Sequence, residues 1–514
     1  MRTAKKITNR KESVDLHGNW KTVSPASITA ETCGINPGLF CAGRLPRGFQ
    51  REVVRAVSYA HRFNEEVTRP IILDHDLKTF EDPDYMPLEL IDKANEWGFY
   101  TMFIPKIYGG KGVSMFTMPY VMEELASVCA GMANVIGVHY LGLLPILGAL
   151  NGKLAHRIIG EVIEGEHSGN PCLISLAITE PGAGTDVEET DLKDRARLSC
   201  QARRAEGGYV VNGSKVFISM GHVSTWCSLI TWEQGKKPSE GEVTFAVKTG
   251  TKGFSFGRHE DKMGQRVCPA SELVFDDCFL SDDFVLADGR YKQGLPSRAM
   301  GEHSLHVGLG MSRAAVSAFG TGVARGAYED ALDFAAKTRV DGRFLIDQEW
   351  AQYILSQMYM NMMLGKLAYS ECLYADIVSG GLASLMLKNG LYYYLKLVPA
   401  SMLRAFFSPF MKSSRFPKFM AKAMAKNLNM KSAYYTSGFG SMAKIVGTDM
   451  GMRNSQLALE LTGQAGIRHD RGIEKRLRDA KLLQIYEGTN QLNQINLFNC
   501  HIARNLDGVK ILED

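Results

Sequence analysis

No two of the ten cysteines stand as a CxxC pair, and none sits with histidines at zinc-ligand spacing. That absence argues against a disulfide framework and a structural metal, and no metal is expected. Scattered thiols read as reduced, packed residues of an intracellular protein. A GxGxxG turn ahead of a helix is missing, and no GK[ST] follows a Gly-rich loop. The chain therefore carries neither a dinucleotide fingerprint nor a Walker loop. The basic start MRTAKKITNRKESVD has no apolar stretch behind it, which argues against a secretory signal, and Glu12 and Asp15 count against a transit segment. With 59 basic and 55 acidic residues the net charge is +4, so no nucleic-acid partner is expected.

Charge is also missing from Leu125 to Gly152, a run of 28 residues. It holds four inner glycines, Pro145 and His139 and lacks flanking aromatic belts. A spanning helix is usually richer in Leu, Ile and Phe, so the run reads as a buried helix.

What is present is a 514-residue chain with 45% apolar and 22% charged residues, enough for roughly three domains. Residues 1–50 read as an extended arm. Residues 51–170 read as a helical domain, with apolar spacing of three and four over 87–100 and 118–135. Residues 171–290 read as a β domain, with Asn212-Gly213 as a hairpin turn between two strand-like runs. Residues 291–514 read as a helical bundle, with long helices over 312–339, 348–378 and 432–461 and an insertion at 381–432. The fold class is α+β, ordered α, β, α, with no internal repeat.

At Thr179-Glu180-Pro181-Gly182-Ala183-Gly184-Thr185-Asp186 a strand ends in a Gly-rich turn, whose exposed amides and hydroxyls suit a phosphate or a flavin edge. Four further motifs follow in order: Phe217-Ile218-Ser219, EDKMGQR (260–266) with ELVFDDC (272–278), RLRDAK (476–481) and IYEGTNQ (485–491). Together they strongly resemble the acyl-CoA dehydrogenase family over about residues 80–378 and 432–500. The resemblance implies a helical N-terminal domain, a central β-barrel-like domain and a C-terminal four-helix bundle. It further implies FAD, an acyl-CoA thioester substrate and αβ-dehydrogenation to the 2-enoyl-CoA, with electrons passed to an electron-transfer flavoprotein.

Carried over by position, the resemblance implies cofactor contacts at Leu176, Ile178, Thr179, Gly184, Thr185, Phe217, Ile218, Ser219, Arg339, Gly463, Thr489 and Gln491. It places Thr185, Ser312, Arg313 and Gly488 at the substrate. Glu487 is the implied base. A proton α to a thioester becomes removable when preorganised donors stabilise the enolate oxygen. A carboxylate facing the substrate from the side away from the flavin then takes it. Some relatives place the base near the start of the first long C-terminal helix, where this chain has Ser312; serine alone is no base, which favours Glu487. The motif around Arg339 departs from the family, since RVDGRFLIDQEW replaces the usual Phe-Gly, and Glu460-Leu461-Thr462-Gly463-Gln464 stands where a QxxGG-like element is usual.

The stretch 381–432 holds nine basic residues and no acid. It carries +9, so the rest of the chain carries −5. Leu, Phe, Tyr and Met are interleaved throughout, as in basic amphipathic helices that lie on anionic membranes. The alternative is a packed hairpin at an oligomer contact or an acidic partner site. The expected protein is a homodimer or homotetramer in the cytoplasm, peripheral to a membrane, or in the mitochondrial matrix of a eukaryote. Two rivals remain open: an acyl-CoA oxidase that uses oxygen, and a non-catalytic, membrane-bound binding partner.

Overall fold

A computed structural model of the chain describes residues 28, 30–188, 190–292, 296–379 and 395–509. Its first helix, α1 (Ala30–Ile35), falls where an extended arm was expected, and α2 (Arg47–Phe63) opens the expected helical domain four residues early. Leu39, Leu45 and Phe49 are buried in one cluster with Tyr369 and Cys372. Apolar burial against distant parts of the chain folds this Gly- and Pro-rich stretch, which local pattern cannot reveal. Residues 1–27 and 29 lie outside the described residues.

The helical domain continues through α3 (Arg69–Glu81), α4 (Leu88–Glu96), α5 (Met118–Ala126), α6 (Ala130–Leu147) and α7 (Gly152–Ser168). The run 118–135, read as helical, is split between α5 and α6. Cys129 adopts extended backbone and its Sγ accepts the Met132 amide at 3.4 Å, which caps α6. Among the described residues α6 alone is long and apolar enough to cross a membrane, and 72% of it is buried inside the protein. Its Ile136, Leu143 and Ile146 belong to the largest core cluster.

The middle domain holds β1 (Ile174–Ala177), α8 (Thr190–Lys193), β2 (Gln201–Ala205), β3 (Gly208–Ser219), β4 (Trp226–Glu233), β5 (Glu242–Lys248), β6 (Phe254–His259), β7 (Ala270–Ser281) and β8 (Val285–Ala287). The ladder runs β6-β7-β3-β2-β4-β5-β8, with β1 on β4. Asn212-Gly213 does not turn a hairpin but lies inside β3. The turn is Glu206-Gly207, which closes the β2–β3 ladder at Ala205 and Gly208. At Asn212 the β3–β7 register shifts. There the Asn212 amide donates to Asp277 Oδ1 at 3.1 Å, so Asn-Gly supplies a bulge in place of a turn.

The last domain is built on α9 (Ser297–Lys337), a small hairpin β9 (Arg339–Val340) and β10 (Arg343–Phe344), and α10 (Glu349–Ser379). After α11 (Ala400–Met411) and α12 (Phe416–Lys426) come α13 (Met430–Thr462), α14 (Ile473–Leu483) and α15 (Asn490–His501). α9 and α13 approach closely: a Cβ at Gly320 or Gly447 would run into the facing backbone. The insertion 381–432 is described only from residue 395, where it forms α11 and α12.

Buried charges join the first and last domains. Lys366 lies 3.0 Å from Glu123, and Arg325 2.7 Å from Glu124. Tyr369 donates to Glu123 at 2.5 Å and Asn36 to Glu124 at 2.9 Å. Burial pushes the Glu124 carboxyl up, but Arg325 and His61 outweigh it and hold the group down to about 2.

Candidate active site

The segment between α14 and α15 reverses direction through two consecutive left-handed residues, Glu487 (φ 55°) and Gly488 (φ 76°). Glycine takes that conformation freely, whereas a glutamate there is strained and must be held by its surroundings. The holders are on the page. Asn493 Nδ2 donates to the carbonyls of Glu487, Gly488 and Thr489 at 3.2, 2.8 and 3.0 Å. Lys444, buried on α13, donates to the Gly488 carbonyl at 2.8 Å and to Asn490 Oδ1 at 2.6 Å. Arg313 Nε reaches the Glu487 carbonyl at 3.4 Å. With its carbonyls gathered inward, the turn presents the half-buried Glu487 side chain, whose Oε2 accepts the Ser312 hydroxyl at 2.8 Å.

Arg313 is buried and donates to Ser441 at 3.1 Å, and Nη2 lies 3.6 Å from Glu188 Oε2. Glu188 ends the short turn Thr185–Glu188 that follows the Gly-rich loop. A Cβ on Gly488 would come within 3.0 Å of Glu188 Oε2 and 3.2 Å of Thr185 Cγ2. The loop after β1 and the turn before α15 therefore meet. Burial pushes the Lys444 ammonium down to about 7; Glu188 opposes that shift, Arg313 adds to it, and Glu487 opposes it.

The strand ends of the β domain lie beside this meeting point. The Val216 amide donates to the Thr179 carbonyl at 2.9 Å, which ties the end of β1 to β3. Register slips between Lys215 and Ile218, and Phe217 takes φ 59°. The slip throws the Phe217 ring outward, 58% exposed, and turns Ile218 into the sheet core. Leu176, Ile178, Thr179 and Ser219 stay half-buried. Gly184 is fixed by its amide on Asp186 Oδ1 at 2.7 Å. Beneath the loop Glu180 accepts from Lys215 Nζ at 2.8 Å, the Cys200 amide at 2.9 Å and Trp232 Nε1 at 3.2 Å. Burial pushes the Glu180 carboxyl up, but the Lys215 ammonium and the Cys200 and Ser199 amides hold it below the usual range.

Two motifs prove to be packing devices. Asp479 of RLRDAK accepts the Gln265 amide at 2.5 Å, and its carbonyl accepts Gln265 Nε2 at 3.0 Å. Arg476 bonds Asp330 at 2.5 Å and the Ser127 carbonyl at 2.7 Å, and Arg478 bonds Asp76 at 2.7 Å. One short helix thus knots all three domains together behind the site. Asp76, His469 and Glu474 converge within 4.8 Å, with the Arg478 guanidinium bonded to both carboxylates.

Of the residues singled out in the sequence, Thr185, Ser312, Arg313, Glu487 and Gly488 come together. Thr489 caps α15, its hydroxyl accepting the Leu492 amide at 3.3 Å, and Gln491 is exposed on the first turn. Ile218 is turned away, so its side chain is sheet core. Arg339 and Gly463 are not brought to this site. Arg339 follows α9, about 40 Å along the helix from Ser312. There its Nη1 donates to the Gly342 carbonyl at 2.7 Å and its guanidinium lies 4.0 Å from the Phe344 ring centroid. Gly463 ends α13 in the same region, where Leu345 and Leu461 share a core cluster. Sequence reading missed Lys444, Asn493, Glu180 and Glu188. Lys444 alone left a trace: Gly440, Ser441, Gly447 and Thr448 surround it at helical spacing, so that face of α13 packs tightly.

The Glu487 carboxylate, Ser312 and Arg313 of α9 and the loop after β1 thus meet where the bundle joins the β domain, the kind of inter-domain place where ligands bind. At the ends of β1 and β3 the exposed Phe217 ring and the half-buried Thr179 and Ser219 offer an aromatic face and hydroxyls, which fit a flavin. Comparison with known proteins gives the class. The acyl-CoA dehydrogenase N-terminal domain profile matches residues 51–166, the middle domain profile 175–278, and the C-terminal domain profile 300–377 and 418–501. The chain belongs to the acyl-CoA dehydrogenase family, whose members are FAD-dependent oxidoreductases. It is 28% identical over 399 residues to the cyclohex-1-ene-1-carbonyl-CoA dehydrogenase of Geobacter metallireducens, covering 77% of this chain and 85% of that one. In structure it is similar to the butyryl-CoA dehydrogenase of Megasphaera elsdenii, with TM-score 0.65, 23% identity and coverage of 87% and 97%. It is also similar to a chain in the structure of the electron transferring flavoprotein of Acidaminococcus fermentans, with TM-score 0.66, 23% identity and coverage of 89% and 98%.

Proposed function

We propose that the protein removes the α-proton and the β-hydrogen of an acyl-CoA thioester, with Glu487 as the base. The observation that carries this reading is the Glu487 carboxylate, held on a strained turn where the bundle meets the β domain. Ser312 binds Oε2, so Oε1 is the atom that takes the α-proton. Asn493, Lys444 and Arg313 keep the turn from relaxing and so hold the carboxylate in register with the substrate. Thr185 and Gly488 flank the thioester. Thr179, Phe217 and Ser219, with Leu176 and Ile178, would hold FAD, which would supply the acceptor for the β-hydrogen.

Three finer readings belong to the same proposal. Electrons leave to an electron-transfer flavoprotein; the likeness to a chain solved with such a protein supports this. The acyl group is long or hydrophobic and the enzyme works at a membrane surface, whether in a cytoplasm or a matrix; the acid-free +9 segment supports this. Arg339 and Gly463 serve the cofactor of a second copy; their distance from Glu487 in one chain supports this.

The test is anaerobic single turnover. The purified protein should be yellow and bleach on mixing with acyl-CoA. The Glu487→Gln variant should stay yellow. Reduced flavin that persists in air marks a dehydrogenase, and rapid recolouring marks an oxidase.

A further inference from the structure

Residues 378–417 fall between the two matched parts of the C-terminal family domain, so α11 lies outside the family profile. It carries two apolar stripes, one residue apart. Leu403 and Met411 are buried, and Phe407 packs with Met411 against the N-terminal core. Met402, Phe406 and Phe410 repeat at the same four-residue spacing on the adjacent stripe and face solvent. Phe406 is 77% exposed. Leu397 before the helix and Phe419 from α12 widen the outer stripe; the Phe410 and Phe419 rings lie 5.4 Å apart.

The hairpin is fixed to the body. Lys106 Nζ donates to the carbonyls of Lys396 and Val398 at 2.6 and 3.0 Å, and Lys396 pairs with Glu52. Ser408 bonds His156 at 3.1 Å. These contacts, together with the buried inner stripe, hold the hairpin to the body, and the outer stripe stays exposed. Around it stand Lys412, Arg415, Lys418, Lys422 and Lys426, all exposed and in no ion pair among the described residues. A patch both apolar and cationic matches a surface that is both apolar and anionic.

We propose that α11 and α12 form a rigid docking surface for an anionic lipid bilayer. Leu397, Met402, Phe406, Phe410 and Phe419 enter the boundary between headgroups and acyl chains, and the five cations meet lipid phosphates and carboxylates. The proposal rests on the membrane reading above and not on dehydrogenation.

Co-sedimentation of the full-length protein with vesicles tests it. Phosphatidylcholine vesicles containing phosphatidylserine should bind the protein at low salt, about tenfold more tightly than phosphatidylcholine alone. Met402→Ser with Phe406→Ser, and separately Lys412→Glu with Lys418→Glu, should each weaken binding about tenfold. Both pairs are exposed and outside the site, so flavin content and bleaching by a short acyl-CoA should not change. Wild-type protein that ignores phosphatidylserine vesicles at low salt overturns the proposal, and so do variants that bind as wild type does. Variants that lose a lipid-free self-association in light scattering also overturn it and assign the patch to a second copy. A protein that binds vesicles but does not bleach would refute only the dehydrogenation.

Discussion

The Ser312 hydroxyl donates to the Glu487 carboxylate across 2.8 Å. The two places where the family motif could seat a base, the start of the first long C-terminal helix and the YEGT turn, are therefore one place in space. Glu487→Gln should keep the fold and the flavin and lose at least about a hundredfold in the bleaching rate. Adding Ser312→Glu to that variant should restore measurable bleaching, because a carboxylate then reaches the same pocket. No recovery, with flavin still bound, would mean that the base must approach along the Glu487 direction alone.

Lys444 gives a pH signature. Its ammonium is lowered to about 7 in the folded state by burial, against about 10.4 in an unfolded chain. Between those values the unfolded state binds a proton that the folded state does not, so stability rises with pH across that window. Below pH 7 both states are protonated and the group contributes no slope. Lys444→Met should abolish the difference, measured as urea midpoints from pH 6.5 to 9. It should also slow bleaching, because the Gly488 carbonyl loses a donor. An unchanged slope would show that Lys444 stays charged when buried.

The order helix, sheet, helix was legible because apolar spacing changes at Pro171 and again after Gly294. Asn212-Gly213 misled because the same dipeptide serves a bulge as well as a turn, and only pairing with Asp277 on β7 decides between them. Residues 30–50 misled because Leu39 and Phe49 gain their partners from α10, more than three hundred residues on. Glu487, Ser312 and Thr185 could be named from motifs. Lys444 and Asn493 could not, since a lysine or asparagine in a helix ordinarily reads as solvated, and what buries them is the packing of α13 and α15.

The buried charges between the first and last domains should be costly to break singly. Lys366→Met leaves Glu123 buried without its 3.0 Å partner. The expected loss is about 3 kcal/mol in urea denaturation. Pairing it with Glu123→Gln should recover part of that loss, because the second change removes a buried carboxylate whose remaining cation, Arg325, lies 3.8 Å away. A double variant as unstable as the single one would place the cost in packing around Tyr369 instead.

Arg339 lies about 40 Å along α9 from Ser312 in a single chain, and under the proposed function it serves the flavin of a second copy. Arg339→Gln should weaken FAD retention about tenfold, the loss of a charge-assisted contact to phosphate, measured by flavin release on dilution. Co-assembly of Arg339→Gln chains with Glu487→Gln chains then separates the cases. If Arg339 acts across subunits, a mixed dimer contains one site with an intact Glu487 and an intact Arg339 from the other chain, and that site bleaches at the wild-type rate with flavin retained. If Arg339 acts within its own chain, no site in the mixed dimer is whole, and mixing restores neither bleaching nor retention. Recovery must appear only after the chains have been exchanged, since two separate homodimers hold no complete site.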